Sequence, residues 1–153
     1  FDNNTFYFSD TNTYHSGENA IPGHFTIDLG VLTFLSKVDV DFRPNWSFAG
    51  NTPNELEIWG REDLTDAETL PAFESSGNSV ISEPVSTASF EDAGWILLHT
   101  ESLDGSNSND IELNFNSEQK SRYIRVRYTS TVGESACQFV EMGFNGFGSF
   151  PIN

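Results

Sequence analysis

The sequence is poor in cysteine and in basic residues, and both shortages exclude classes of function. Cys137 is the only cysteine among 153 residues, so the chain can form no internal disulfide and no metal site built on several thiolates. Seven basic residues stand against 23 acidic ones, which gives a formal net charge of −16. Nucleic acid is therefore a poor partner, because it needs a basic footprint. The acidity fits bound Ca²⁺, but solubility in a salty exterior accounts for it more simply.

Long apolar runs and a targeting segment are also missing. No stretch is apolar and long enough to span a bilayer, and no charged-then-apolar signal segment follows Phe1. The chain has no initiating Met, and we expect it to be a processed or excised piece of a larger protein. Its length suits one domain with a full core, since a globule of this size buries about two thirds of its unfolded surface. We therefore predict a single, monomeric domain over residues 1–153.

The sequence does contain short runs rich in Val, Ile, Phe and Trp, separated by Asn, Gly, Ser, Asp and Pro. Apolar residues alternate strictly over 37–42 and, after the first pair, over 123–128, which is the period of a strand with one buried face. Long helical periodicity is missing. The pattern predicts an all-β antiparallel sandwich with strands at 25–29, 37–42, 55–59, 95–100, 110–115, 123–128 and 139–146.

We expect structural roles for two outward arginines, for the single cysteine and for one long connection. The alternation places Arg125 and Arg127 on the outward face of their strand, where we expect a solvated surface with salt bridges to nearby acids. Cys137 begins a strand-like run and is expected to be a small buried hydrophobe. Residues 62–90 are typical of a long polar connection, with one helical turn predicted at 66–70.

Three segments carry a more specific signal: PGHFTIDLG at 22–30, NELEIWGRED at 54–63, and RYIRVRYTS with FVEMGFNGF at 122–130 and 139–147. In this order they resemble the discoidin or coagulation factor V/VIII type C domain, the fold of carbohydrate-binding module family 32. The second segment is most similar to discoidin-like domains beside polysaccharide-uptake proteins of Bacteroidetes. The resemblance implies a galactose-binding-domain-like jelly roll that is secreted, periplasmic or at a bacterial cell surface. Residues 61–64 depart from the family's SxDG turn, and the connection to Trp95 is longer than usual.

The resemblance also implies a sugar site on loops at one end of the sandwich. In family 32 a His from a WHS or WHT motif and an Arg from a PR-type motif bind sugar hydroxyls beside an aromatic platform, and residues 13–16 and 42–44 resemble these motifs. Imidazole and guanidinium groups suit hydroxyls, and an aromatic face covers the C–H side of a pyranose. The alternative is that the His is an ordinary surface residue and the loop aromatics fold back on the core. The implied ligand-binding residues are Tyr14, His15, Arg43, Asn45, Trp46 and Phe48.

Family members often carry a further aromatic residue in the loop before the last strand. Here that loop, residues 130–136, has none, which argues against galactose-type specificity.

A structural Ca²⁺ is a further implication of the resemblance. Relatives often hold one between an N-terminal loop and the Glu of the closing strand, and oxygen ligands are what this hard cation binds. The N-terminal loop is shorter here and lacks glycine, and its alternative role is a frayed terminus. The implied metal ligands are Asp2, Asn4, Thr5 and Glu141.

The sequence shows no arrangement typical of catalysis. The three histidines, at 15, 24 and 99, lie far apart, and there is no nucleophile elbow or His-x-x-x-His pair. With 23 acidic residues, carboxylate pairs are unavoidable and do not indicate a glycosidase. We therefore predict a non-catalytic module that binds carbohydrate. The alternatives are a protein-binding domain or a structural spacer in a multidomain cell-surface protein.

Overall fold

The computed structural model describes residues 14–15, 21–42, 51–64, 87–103, 110–133 and 137–150. In these ranges no helix is long and apolar enough to cross a membrane. The elements in them are a short helix α1 (Thr87–Asp92) and the strands β1 (Tyr14–His15), β2 (Gly23–Asp41), β3 (Pro53–Arg61), β4 (Ile96–Ser102), β5 (Asp110–Asn114), β6 (Lys120–Thr131), β7 (Gln138–Phe139) and β8 (Glu141–Phe150).

Strand β2 runs through both layers of one six-stranded hydrogen-bonded sheet, and this sharing builds the sandwich; we call the two layers the first and the second sheet. Its first half pairs with β6, and the first sheet has the order β4-β3-β6-β2. Its second half lies between β5 and β8, and these three strands form the second sheet. All pairings are antiparallel, including the small pair of β1 with β7. The predicted antiparallel β-sandwich is therefore confirmed.

The change of partner along β2 takes place near Gly30. The register with β6 shifts between Asp28 and Thr33, and Gly30 has a φ of 72°, in the left-handed region that glycine adopts without strain. The sequence predicted two separate strands here, at 25–29 and 37–42, and the structure joins them into one. The predicted last strand is instead divided at Val140, between β7 and β8.

The inward faces of the two sheets meet in one core. The alternation predicted for 37–42 and 123–128 is confirmed, because every second residue there is buried. Burying each such aliphatic side chain contributes about 1.5–3 kcal/mol. Cys137 is also fully buried, as predicted, and burial raises the pKa of its thiol. The fully buried strand residues include Leu35, Val38, Val40, Leu56, Ile58, Ile124, Val126 and Tyr128.

The outward face of the first sheet carries a second, smaller apolar cluster. Trp59 projects from β3, and Phe90 and Trp95 are supplied by α1 and the turn after it; all three are at most 2% exposed. The turn is a Schellman motif, since the Trp95 N–H donates to the Phe90 carbonyl and the Gly94 N–H to that of Glu91, both at 2.9 Å. Gly94 has the required positive φ of 82°. The helical turn predicted at 66–70 lies outside the described residues.

Arg125 lies beneath this cluster, so the predicted solvated position is wrong. Its guanidinium carbon is 4.1 Å from the ring centre of Trp95 and 4.9 Å from that of Phe90. Its Nε donates to Thr26 Oγ1 at 3.0 Å, and the residue is 5% exposed. The reason is that α1 and Trp95 cover this part of the outward face, and a planar guanidinium stacks well on aromatic rings.

Arg127, two residues further along the same strand face, does make the predicted salt bridge. Its Nη1 lies 2.9 Å from Glu57 Oε1. The pair is not solvated, however, because the side chains of Arg127 and Glu57 are only 12% and 16% exposed. The middle of the outward face of the first sheet, around Arg125 and Arg127, is thus a packing surface.

Gly60 on β3 approaches its neighbours so closely that a larger residue does not fit. A Cβ added there would overlap Ser121 Oγ and lie 2.7 Å from Leu98 Cδ1. We expect Gly60→Ala to lower the free energy of unfolding by about 1–3 kcal/mol, the usual cost of overpacking. Urea denaturation of the variant measures this change.

Ser121 supplies the matched variant for this test. Its Oγ is buried and, within the described residues, has no hydrogen-bond partner. We expect Ser121→Ala alone to leave the free energy of unfolding unchanged or to raise it. In the double variant Gly60→Ala/Ser121→Ala, we expect the destabilisation by Gly60→Ala to be smaller, with an interaction energy between the two substitutions above about 0.5 kcal/mol. Strictly additive effects would contradict the contact.

Candidate functional site

Five aromatic side chains hold the two sheets together at one end of the sandwich. The ring centre of Phe139 lies 5.4 Å from Phe25, 5.8 Å from Phe42 and 6.0 Å from both Tyr14 and Tyr128. Phe25 and Tyr128 belong to the first sheet, whereas Phe42 directly follows the second-sheet half of β2. The two sheets therefore end together here, and we call this the loop end.

Antiparallel pairing brings several chain connections to the loop end. The last residue of β6, Thr131, is opposite the first residue of β3, Pro53, and the last residue of β2 is opposite the first residues of β5 and β8. Backbone bonds extend this frame: the Val132 N–H donates to the Thr52 carbonyl at 3.0 Å and the Val140 N–H to that of Asp41 at 2.8 Å. The connection from β2 to β3 thus begins and ends at the loop end.

Four of the predicted sugar-binding residues belong to that connection. They lie outside the described residues, and their contact with a ligand stays a prediction. They are Arg43, Asn45, Trp46 and Phe48.

Tyr14 is the one predicted sugar-binding residue whose side chain is described, and it packs within the aromatic cluster. Its ring centre is 4.6 Å from that of Phe25, and its hydroxyl shares a hydrogen bond of 3.0 Å with the Tyr128 hydroxyl. Desolvation by burial raises the pKa of Tyr14 to about 12, although the bond to Tyr128 lowers it. Tyr14 therefore anchors β1, and its contact with a ligand stays a prediction.

The anchoring of Tyr14 fixes the backbone of its neighbour. In the pairing of β1 with β7, His15 lies opposite Gln138 and Tyr14 opposite Phe139. This pairing places the His15 backbone beside β7, at the loop end. The imidazole itself lies outside the described part of the chain.

Glu141, the predicted metal ligand with a described position, begins β8 beside other carboxylates. It lies opposite Asp41 of β2, which on its other side lies opposite Asp110 of β5. Burial raises the pKa of Asp41, and the negative charges of Asp110 and Asp39 add to the effect. These are the hard oxygen donors that Ca²⁺ binds.

The described residues do not by themselves complete a metal site. Within them, no group of three His, Cys, Asp or Glu side chains is placed to hold an ion. A calcium ion at Glu141 would take its other ligands from outside these ranges, where the predicted residues Asp2, Asn4 and Thr5 lie. The Glu141 carboxylate supplies the type of oxygen donor that Ca²⁺ binds, and the calcium site stays a prediction.

Three further described residues, beyond the predicted ligand-binding set, lie at the loop end. Asn51 and Gln138 are polar and buried, at 8% and 4% exposed, and both belong to the frame around the connections. Val132 is 46% exposed and presents apolar surface there. Val132 carried no signal in the sequence because a single exposed aliphatic residue is common on any surface.

Several solved structures with the same fold are described as carbohydrate-binding modules. CBM32-3 from a family 31 glycoside hydrolase of Clostridium perfringens is 19% identical, over 88% of this chain and 75% of that one, with a TM-score of 0.59. The family 32 module of C. perfringens NanJ, solved with galactose, is 12% identical, over 86% and 74%, with a TM-score of 0.58. At these identities the likeness shows the fold alone, and this fold is the one that the resemblance to discoidin-like family 32 modules implies.

A SusE-like Bacteroides protein has the same fold at 24% identity and a TM-score of 0.60. The match covers 88% of this chain but 51% of that protein, so this chain spans about half of its length. No curated protein matches the chain. Residues 1–146 match DUF5000, a domain of unknown function, and the chain therefore belongs to the DUF5000 family.

Proposed function

We propose that this domain is a non-catalytic carbohydrate-binding module that holds a glycan at its loop end. The observation that supports the proposal is the aromatic cluster, which holds β1 and the end of β2 at the same end of the sandwich; the connection containing Arg43 follows directly after β2. Solved structures of the same fold were determined with galactose and with GalNAc-β-1,3-galactose, and another is described as a chitosan-binding module. These neighbours support a carbohydrate as the ligand class.

The proposed residues have complementary roles. The forked guanidinium of Arg43 donates to neighbouring sugar hydroxyls, the His15 imidazole donates or accepts, and Trp46 covers the apolar face of the ring. Asn45 and Phe48 extend the polar and aromatic contacts. Tyr14 contributes by holding β1 in place.

The expected affinity is low. Sugar hydroxyls exchange bonds with water for bonds with protein, so stacking and charge-assisted bonds supply most of the net gain. We expect a dissociation constant of about 0.1–1 mM, or about 4–5.5 kcal/mol. Such a module acts outside the cytoplasm, at the cell surface, in the periplasm or in a secreted protein, where polysaccharides are met.

A glycan array with the purified chain tests the proposed ligand class. We expect a small set of related glycans to bind, and heat-denatured chain on the same array is the control. An array on which no glycan binds, while the chain binds a protein of the cell surface, would contradict the proposal and support the protein-binding alternative.

We also propose a structural Ca²⁺ held by Glu141 with Asp2, Asn4 and Thr5. An ion bound only by the folded state stabilises it by about 2.7 kcal/mol at a hundredfold excess over its dissociation constant. At about 2–4 °C per kcal/mol, EDTA is expected to lower the Tm by roughly 5–11 °C, and added Ca²⁺ to restore it.

Glu141→Gln is the control for the calcium proposal. It keeps the shape of the side chain but removes the charge, so the Tm of this variant should respond much less to EDTA. Identical melting curves of the unaltered chain in EDTA and in Ca²⁺ would rule out the site.

A further inference from the structure

The outward face of the second sheet carries a row of polar side chains that the glycan site at the loop end does not use. Asn114 of β5, Lys37 of β2 and Asn145 of β8 lie opposite one another in register. Because the buried residues Val38 and Leu113 point inward, these neighbours in the chain point outward. We call the three residues the amide row.

A cavity of about 430 Å³ opens at the amide row. This volume falls within the range of about 300–1,000 Å³ that is usual for small-molecule sites. The cavity is distinct from the loop end, because Lys37 and Asn145 are each four residues along their strands from Asp41 and Glu141, or about 13 Å. Its lining residues are Ser36, Lys37, Asn114, Phe115, Asn116 and Asn145.

Hydrogen bonds hold the amide row in place before any ligand arrives. Lys37 Nζ lies 2.9 Å from Asp39 Oδ1 and 3.0 Å from Glu112 Oε2. The same two carboxylates accept from the amides: Asn114 Nδ2 donates to Glu112 Oε1 at 2.7 Å and Asn145 Nδ2 to Asp39 Oδ2 at 3.1 Å. Fixed polar groups lose little conformational entropy when a ligand binds.

Each asparagine of the row keeps bonding capacity for a ligand. A carboxamide has two N–H donors and an oxygen acceptor, and the bond to a carboxylate uses one donor. Within the described residues, neither amide oxygen accepts a hydrogen bond. Paired donor and acceptor groups of this kind match a sugar hydroxyl, which also donates and accepts.

Phe115 lies beside the cavity, and its side chain packs against the core between the two sheets. Its ring is partly exposed and stacks on His99, with ring centres 5.1 Å apart and an angle of 15° between the planes. Its backbone N–H donates to the Ser36 carbonyl at 3.0 Å, which fixes the residue against β2. The packing of Phe115 fixes one border of the cavity, and the polar lining residues supply the hydrogen bonds that a sugar hydroxyl requires.

We propose that this cavity is a second saccharide site and that it takes an uncharged sugar. The charge of Lys37 is already engaged by Asp39 and Glu112, and the chain carries a net charge of −16. An anionic sugar would meet these two carboxylates without a compensating cation from Lys37. The site goes beyond the loop-end function and does not depend on it.

Titration of ¹⁵N-labelled chain followed by NMR tests the proposal. The probes are three uncharged hexasaccharides (maltohexaose, laminarihexaose and N-acetylated chitohexaose), with sialyllactose as the anionic probe. We expect at least one uncharged probe to shift the side-chain amide signals of Asn114 and Asn145 in a saturable way, and sialyllactose to leave them in place. The same shifts are expected in an Arg43→Ala/Trp46→Ala chain, in which the loop-end site is removed.

Variants of the row complete the experiment. The double variant Asn114→Ala/Asn145→Ala changes two exposed residues, so we expect it to fold, as circular dichroism checks. We expect binding at the cavity to weaken at least tenfold, measured in this variant and in the unaltered chain from the backbone amide signal of Lys37. Thr100→Ala, at an exposed position of β4 outside the cavity, is the control and should not change the affinity.

Two results would overturn the proposal: no saturable shift of either asparagine with any uncharged hexasaccharide, or equal shifts with sialyllactose. If either result is accompanied by a shift of the His15 amide signal when an uncharged hexasaccharide is added, the proposed function at the loop end remains supported. Shifts at the amide row without shifts at the loop end would support the second site and count against the first.

Discussion

Replacing Trp95 by alanine is expected to lower the free energy of unfolding by about 3–5 kcal/mol. Trp95 is 2% exposed and packs in the outward cluster with Trp59 and Phe90. Its ring also lies 4.1 Å from the guanidinium carbon of Arg125. Truncation would leave a cavity and would remove the aromatic cover from a buried cation, and both effects destabilise the folded state.

Thermal unfolding followed by circular dichroism measures this effect. A domain of this size loses about 2–4 °C for each kcal/mol, so the Tm should fall by roughly 6–20 °C. Ile96→Ala is the matched control: Ile96 is the next residue in the chain but is 44% exposed, and its replacement should cost less than about 0.5 kcal/mol. A Trp95→Ala variant no less stable than the Ile96→Ala variant would show that the cluster does not stabilise the domain.

The outward cluster also bears on function, because it covers part of one face of the sandwich. Arg125 is used in packing and Arg127 in a largely buried ion pair, so neither is offered to a ligand. The exposed polar surfaces that remain for recognition include the loop end and the outward face of the second sheet. Two glycan sites on one domain would let a single polysaccharide chain be held at two points, which strengthens binding without tighter individual sites.

Much of the fold could be predicted because one face of most strands is buried. The alternation in 37–42 and 123–128 identified the inward residues correctly, since period two depends only on the local geometry of a strand. The surroundings of the outward residues could not be predicted in this way. Arg125 is covered by Phe90 and Trp95, which lie at least 30 positions away, and a six-residue helix is too short to show a periodic pattern.

In the candidate sites, too, residues that are close in the sequence could be predicted, whereas residues that only the fold brings together could not. The resemblance pointed to Tyr14 and His15, and the structure places this pair at the end where the connection containing Arg43 starts. The amide row could not be predicted, because Lys37, Asn114 and Asn145 become neighbours only through strand register. A single asparagine in a sequence is more often turn chemistry than a binding group.

Arg43→Ala is expected to abolish measurable glycan binding and to leave the fold intact. The guanidinium supplies the charge-assisted bonds that make up much of a weak sugar interaction, and alanine supplies none. Trp46→Ala should have a similar effect, because stacking provides the rest of the net gain.

Isothermal titration calorimetry with a glycan that binds on the array tests this central claim most directly. Arg122→Ala is the matched control: it also removes one guanidinium, but Arg122 pairs with Asp28 at 2.7 Å, near the start of β6 and away from the loop end. We predict that the unaltered chain and Arg122→Ala bind with a dissociation constant of about 0.1–1 mM, and that Arg43→Ala and Trp46→Ala show no measurable heat of binding. An affinity that survives both Arg43→Ala and Trp46→Ala would contradict the placement of the glycan at the loop end.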